Sequence, residues 1–296
     1  MSTAEQLYFA PISLKRILFA MDFSPGSLLA FPYAVSIAKH YGAKIFVAHI
    51  TPAEDYDVVP DASQAESFEA SMEENLSGPM GKLRDIPHEL VFDHGSICSK
   101  LLATAENRGV DLIVLGTHGW QGLKKLLKGS TAEEISCLAS RPVLMAGPNV
   151  SRTSEFRRIL YATDFSPASQ HALPVAFSLA HAYEACLFFL HVNDWDSGEP
   201  PSKASERTYN FFREQSRFYG YDDSIRNRSQ VIVDFGPRSD LILAHAHHHN
   251  ADLIVMGIHT NKGVKARIAA HLPGSLTYNV TSQASCPVLA VPDSYS

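Results

Sequence analysis

Residues 15–25 read KRILFAMDFSP, and residues 157–167 read RRILYATDFSP. Asp22 and Asp164 stand 142 positions apart. A repeat of this kind settles the architecture before any single element is read, so the comparison extends outward from it. AHI at Ala48–Ile50 is answered by LHV at Leu190–Val192, again at an offset of 142. DLIVLG ending at Gly116 is answered by DLIVMG ending at Gly257, at 141, and RPVLMA from Arg141 by CPVLAV from Cys286, at 145. Four blocks in the same order make the chain a tandem duplication, and the second copy gains four residues between its last two blocks.

Each copy alternates short apolar runs with amphipathic stretches. Ile17–Ala20, Lys44–Ile50, Glu89–Phe92, Asp111–Gly116 and Pro142–Ala146 read as strands. Their apolar character shows no polar alternation, which points to a parallel sheet covered on both faces. Ser27–Tyr41 has helical spacing, with Ser24 as a cap, Pro25 at the first helical position and Gly42 at the end. Ser96–Asn107 and Ser130–Leu138 read as helices, and the acidic stretch Ala62–Leu76 as a solvated helix face. Thr51–Pro60 reads as loop. The polar segment Asn149–Glu155 separates a first domain, residues 13–148, from a second, residues 156–293.

In an open parallel sheet, ligands bind beyond the carboxyl ends of the strands. The fourth strand of the first copy leads there into GTHGWQGLKKLLKGST, residues 116–131. Glycines let a main chain approach a bulky anion and adopt positive φ. Ser130 and Thr131 would open a helix whose unpaired N–H groups point at that anion, while Lys124, Lys125 and Lys128 add positive charge. An alternative remains open at this level: the glycines form only a surface turn, and Asp22 only caps its helix.

The spacing G-x2-G-x9-G-S, after a DLIVLG strand and before a PVL strand, resembles the ATP-binding signature of the universal stress protein family. With a DFS element early in each copy, the resemblance spans nearly the whole chain, as a tandem two-domain member. It implies an adenine-nucleotide-hydrolase-like α/β fold in each copy, a Rossmann-like five-stranded parallel sheet of order 3-2-1-4-5 with helices on both faces. It implies Asp22 at the ribose, the Ile50 backbone at the adenine, Gly116, Gly119 and Gly129 shaping the loop, and Ser130 and Thr131 at the phosphates. It also implies pairing of the copies through their last strands, Val143–Ala146 against Val288–Val291, as a pseudo-dimer within one chain. Assembly of two chains follows by the same analogy.

The second copy departs from the signature. It keeps Asp164, Val192 and Gly257, but Thr260 replaces the second glycine, and Gly274-Ser275 comes thirteen residues later instead of nine. Thr260 would be strained at a positive φ, and Pro273 restricts the residues before it. The expectation is therefore ATP with Mg²⁺ in the first domain and no cofactor in the second.

No GxSxG, GxxxxGK[ST] or HExxH motif is present, so no catalytic residue is assigned. Three functional classes stay in play: an ATP-binding stress-response regulator or protective factor, a slow Mg-dependent ATPase, and a nucleotide-free interaction scaffold. His245 and His249 have i, i+4 spacing that suits a metal, yet no full ligand set adjoins them. A solvated helix end reads better, and no metal site is assigned. Trp120 either covers the nucleotide or a partner, or packs on its own domain. The net charge of −6 over 296 residues gives no footprint for nucleic acid or an anionic membrane. No apolar run is long enough to span a bilayer. The four scattered cysteines suit a reducing compartment, and the expected location is the cytoplasm.

Overall fold

Strands that are apolar on both faces need helices on both, and the chain supplies them in turn. The computed structural model describes residues 12–52, 80–117, 131–151, 154–221, 227–260 and 275–295, with residues 66, 67, 70–72, 74 and 78. The first half comprises β1 (Arg16–Ala20), α1 (Pro25–Tyr41), β2 (Lys44–Thr51), β3 (His88–His94), α2 (Ile97–Asn107), β4 (Leu112–Gly116), α3 (Thr131–Leu138) and β5 (Val143–Ala146). The second comprises β6 (Arg158–Thr163), α4 (Pro167–Ala182), β7 (Cys186–Asn193), α5 (Pro201–Phe218), β8 (Ser229–Phe235), α6 (Arg238–His248), β9 (Leu253–Ile258), α7 (Leu276–Gln283) and β10 (Val288–Pro292). Between Glu66 and Glu74 the described residues are helical. The remainder of the expected 62–76 helix, and the loop from residue 53, lie outside the described residues.

The described strands join one ten-stranded sheet in the order β3-β2-β1-β4-β5-β10-β9-β6-β7-β8. Pairing is parallel within each half and antiparallel only at the seam, where Leu289 faces Leu144 and Val288 faces Met145. The seam pairs two strands that would otherwise be open edges. Ile17, Leu18 and Phe19 of β1 are fully buried, as a strand covered on both faces must be. One face carries a single core running under α1 and α4 across the seam. The other face divides into a cluster under α2 and α3 and a second under α6 and α7.

The first helix of each half starts by the same local chemistry. The Ser24 hydroxyl accepts from the Ser27 N–H at 3.2 Å, and Ser166 accepts from Ser169 at 3.3 Å, each ahead of a proline in the first turn. Such a cap contributes about 1 kcal/mol. Gly42 ends α1 in the left-handed conformation at φ 61°. Each helix also holds an internal proline, Pro32 or Pro174, without breaking. Packing on the sheet outweighs the missing hydrogen bond.

The segment between the halves is pinned rather than loose. Tyr33 donates its hydroxyl to the Ser151 carbonyl at 2.5 Å, and Ser36 donates to the Ser154 carbonyl at 2.6 Å. In return the Ile12 N–H donates to the Ser178 hydroxyl at 2.7 Å, so positions related by the repeat exchange contacts across the seam. Val150 and Phe156 are buried in the shared core.

Candidate functional site

Parallel strands within each half put their carboxyl ends on one edge, where the described residues of the expected first-half site lie. Asp22 follows β1, Ile50 lies near the end of β2, Gly116 ends β4, and Thr131 opens α3. Gly119, Gly129 and Ser130 lie outside the described residues, as do Trp120 and the three loop lysines.

After β1 the chain must turn sharply into α1. The Asp22 carboxylate accepts the Ser24 N–H at 2.9 Å, closing a local turn while the side chain stays exposed. Phe23 between them adopts φ 57°, and Phe165 of the second half adopts φ 60°. A bulky residue in the left-handed region costs on the order of 1 kcal/mol, so the surroundings must impose the turn. The next strand helps to hold it. The Met21 N–H donates to the Ala48 carbonyl at 2.8 Å, and His49 Nδ1 lies 2.7 Å from the Met21 carbonyl oxygen. A carbonyl only accepts, which fixes the proton on Nδ1 of that ring.

The backbone of Ile50 is placed by strand lengths. Pairing of β1 with β2 ends at Ala20 opposite Ala48, whereas β2 and β3 stay paired to Thr51 opposite His94. Ile50 thus extends beyond its β1 neighbour and turns one main-chain edge toward the space that β1 leaves. Its side chain is buried in the α2–α3 core.

Gly116 does not use positive φ, and its lack of a side chain makes room for α1. A Cβ there would stand 2.2 Å from the Gly26 carbonyl oxygen. The first turn of α1 lies directly on the end of β4. Gly257 repeats the arrangement, where a Cβ would stand 2.1 Å from the Ala168 carbonyl oxygen. Retention of Gly257 in the second copy is therefore a packing requirement.

The second half preserves the turn and departs around it. The Asp164 carboxylate accepts the Ser166 N–H at 3.0 Å. Burial alone would raise its pKa, but hydrogen bonds from Ser166 and Ser169 outweigh that and hold the carboxyl below its ordinary range. Val192, the counterpart of Ile50, is buried and paired with Asp234 of β8. His191 Nδ1 lies 2.9 Å from the Thr163 carbonyl, repeating the His49 contact. Thr260 is not strained as expected. It is absent from the residues with positive φ.

One group was not legible in the sequence. Arg207 of α5 forms a two-pronged pair with Glu199, at 3.0 and 2.7 Å, and lies 4.6 Å from the Phe165 ring centre. Its guanidinium reaches within 3.2 Å of His191 Nε2, over the end of β7. Burial pushes the His191 imidazole below its ordinary pKa, so the ring stays neutral beside the arginine. Nothing in local spacing marks Arg207, since its partners come from three separate segments.

His245 bonds Asp234 at 2.9 Å and stacks parallel to His249, with ring centres 5.9 Å apart. Among the described residues no three His, Cys, Asp or Glu side chains gather as metal ligands would. No described helix is long and apolar enough to cross a membrane.

Comparison with known proteins agrees with the duplication. The family model described as the universal stress protein family matches residues 13–147 and again residues 155–292. A universal stress protein of Methanocaldococcus jannaschii is 29% identical over 137 residues, covering 44% of this chain and 81% of its own. One from Bacillus subtilis is 26% identical over 146 residues, covering 44% of this chain and 97% of its own. The crystal structure of a universal stress protein from Archaeoglobus fulgidus superposes with a TM-score of 0.72 at 22% identity, over 94% of this chain and 96% of that one. That likeness extends the shared fold over both halves and the seam between them. With two family matches that together cover most of its length, the chain belongs to the universal stress protein family.

Proposed function

We propose that the protein holds one adenine nucleotide, ATP with Mg²⁺, in its first half, as a structural or regulatory ligand in a cytoplasmic stress response. The observation that carries this reading is the convergence of an exposed carboxylate, an extended strand edge and a helix start on one edge of the sheet. Asp22 would receive the ribose hydroxyls, the Ile50 main chain the adenine edge, and Thr131, with Gly129 and Ser130 before it, the phosphates. Anions suit the amino end of a helix, where N–H groups lack partners. The bound nucleotide supplies charge and contact area rather than a reacting bond, and it stabilises the folded state by mass action. Pairing of two chains and a downstream protein partner belong to the same proposal.

The test is direct. Mass spectrometry of small molecules released from freshly purified protein should find an adenine nucleotide. Added Mg-ATP at about a hundredfold excess over Kd should stabilise the protein by about 2.7 kcal/mol, read as a rise in Tm. Release of no nucleotide together with an unmoved Tm overturns the reading and leaves the scaffold.

A further inference from the structure

His191 Nε2 faces two partners that ask opposite things of it. Nδ1 of the same ring lies 2.9 Å from the Thr163 carbonyl oxygen, which only accepts, so the proton of the neutral ring sits on Nδ1. Nε2 then carries a lone pair. The Arg207 guanidinium, 3.2 Å away and able only to donate, suits it. Asn193 does not. Its amide nitrogen is turned toward Glu199 Oε2 at 3.5 Å, which leaves its oxygen, an acceptor, 2.9 Å from Nε2. That oxygen matches only a protonated Nε2. One nitrogen thus holds a partner for each protonation state, the arginine for the neutral ring and the asparagine oxygen for the imidazolium.

The surroundings decide what a second proton does. His191 is only 4% exposed, so water screens a charge on it poorly. The charged groups that face it are Arg207 from α5 and Glu199 from the loop ahead of that helix. The turn after β6 presents the Phe165 ring, centred 4.3 Å away, while Asp164 in that turn bonds Ser166 instead. β8 sets the uncharged Val233 beside it. A proton on Nε2 would place two like charges side by side, and Arg207, which is exposed, has room to leave. We infer that His191 is a proton-driven release for Arg207: when the ring gains its second proton, Nε2 turns from the guanidinium to the Asn193 oxygen, and Arg207 withdraws from the end of β7 together with Glu199. The proton comes from solvent and stays on Nε2, and only hydrogen bonds change. His49 repeats the Nδ1 contact in the first half, but the segment that leaves β2 carries no such cation. Residues 53–79 contain no Lys or Arg, and Ala65 stands at the repeat offset of 142 from Arg207. The release therefore belongs to the second half and is independent of any nucleotide in the first.

Trp195 reports it. The residue lies in the same loop as Glu199, with its indole nitrogen 3.1 Å from where a Cβ on Gly236 would stand. In the full chain bearing Trp120→Phe it is the sole tryptophan. Its fluorescence is followed as pH falls, while NMR of labelled histidine follows the His191 ring, identified by its contact with Phe165. The ring should gain its proton with a midpoint below about pH 6.5, the ordinary value, and the fluorescence should move at the same midpoint. Arg207→Gln removes the cation that opposes the proton. There the midpoint should rise by about one pH unit, and the fluorescence should stay flat because nothing remains to be released. A ring that titrates without any change at Trp195 overturns the inference. So does an equal fluorescence change in Arg207→Gln, an unmoved midpoint in that variant, or a ring still neutral when acid unfolds the chain. Circular dichroism checks that Arg207→Gln is folded. Should it not be, coincidence of the two midpoints in the parent chain still decides.

Discussion

The two halves share everything that builds the turn after their first strand and differ in what surrounds the loop after their fourth. Asp22 and Asp164 close the same turn, Phe23 and Phe165 take the same unfavourable φ, and His49 and His191 reach the same kind of carbonyl. Features present in both halves, including the half whose loop signature is lost, are required by the fold whatever else they do. The features that separate the halves are the loop glycines and the four extra residues.

The largest effect expected from this comparison is structural and symmetric. Gly116→Ala and Gly257→Ala should each cost about 3 kcal/mol or more in urea unfolding, because the new methyl group meets a helix backbone that cannot give way. If Gly116→Ala proved stable and impaired only nucleotide binding, the glycine would belong to the site after all.

Next comes an asymmetric pair. Asp22→Ala should weaken ATP binding at least about tenfold, as loss of a charged hydrogen-bond partner does, while Asp164→Ala should leave it unchanged. Equal losses, measured by calorimetry, would erase the distinction between the halves.

Smaller and symmetric again, Ser24→Ala and Ser166→Ala should each remove about 1 kcal/mol of stability, since both hydroxyls cap the same helix in the same way. A loss confined to one half would show that the shared turn is held differently.

The smallest effect concerns pH. The Asp164 carboxyl is held below its ordinary range in the folded state, so its contribution is present above about pH 4, the unfolded value, and fades as pH falls through the folded one. The group is exposed, which limits the gain. Asp164→Asn should lower Tm by about 1 °C at pH 7 and by nothing measurable near pH 2. A deficit that grew on acidification would have the wrong sign.

The order and kind of the elements were legible because they rest on local patterns. Unbroken apolar runs such as Ile17–Ala20, and the Ser24-Pro25 start of α1, need no distant partner to be read. The chemistry around the site was less legible, because its decisive contacts join residues far apart. The need for glycine at 116 comes from Gly26, and Thr260 takes its conformation alongside Asp293, 33 positions away. The left-handed φ of Phe23 runs against its propensity and emerges only from the assembled turn. Glu133, in the first turn of α3, meets Ser275 from 142 positions away.

The central claim, as proposed, is that the first half of a duplicated fold holds one nucleotide and the second half holds none. Calorimetric titration of Mg-ATP into the intact chain tests it most directly. One nucleotide per chain is the expected stoichiometry. Two per chain would contradict the asymmetry between the halves, and none would contradict the proposed nucleotide in the first.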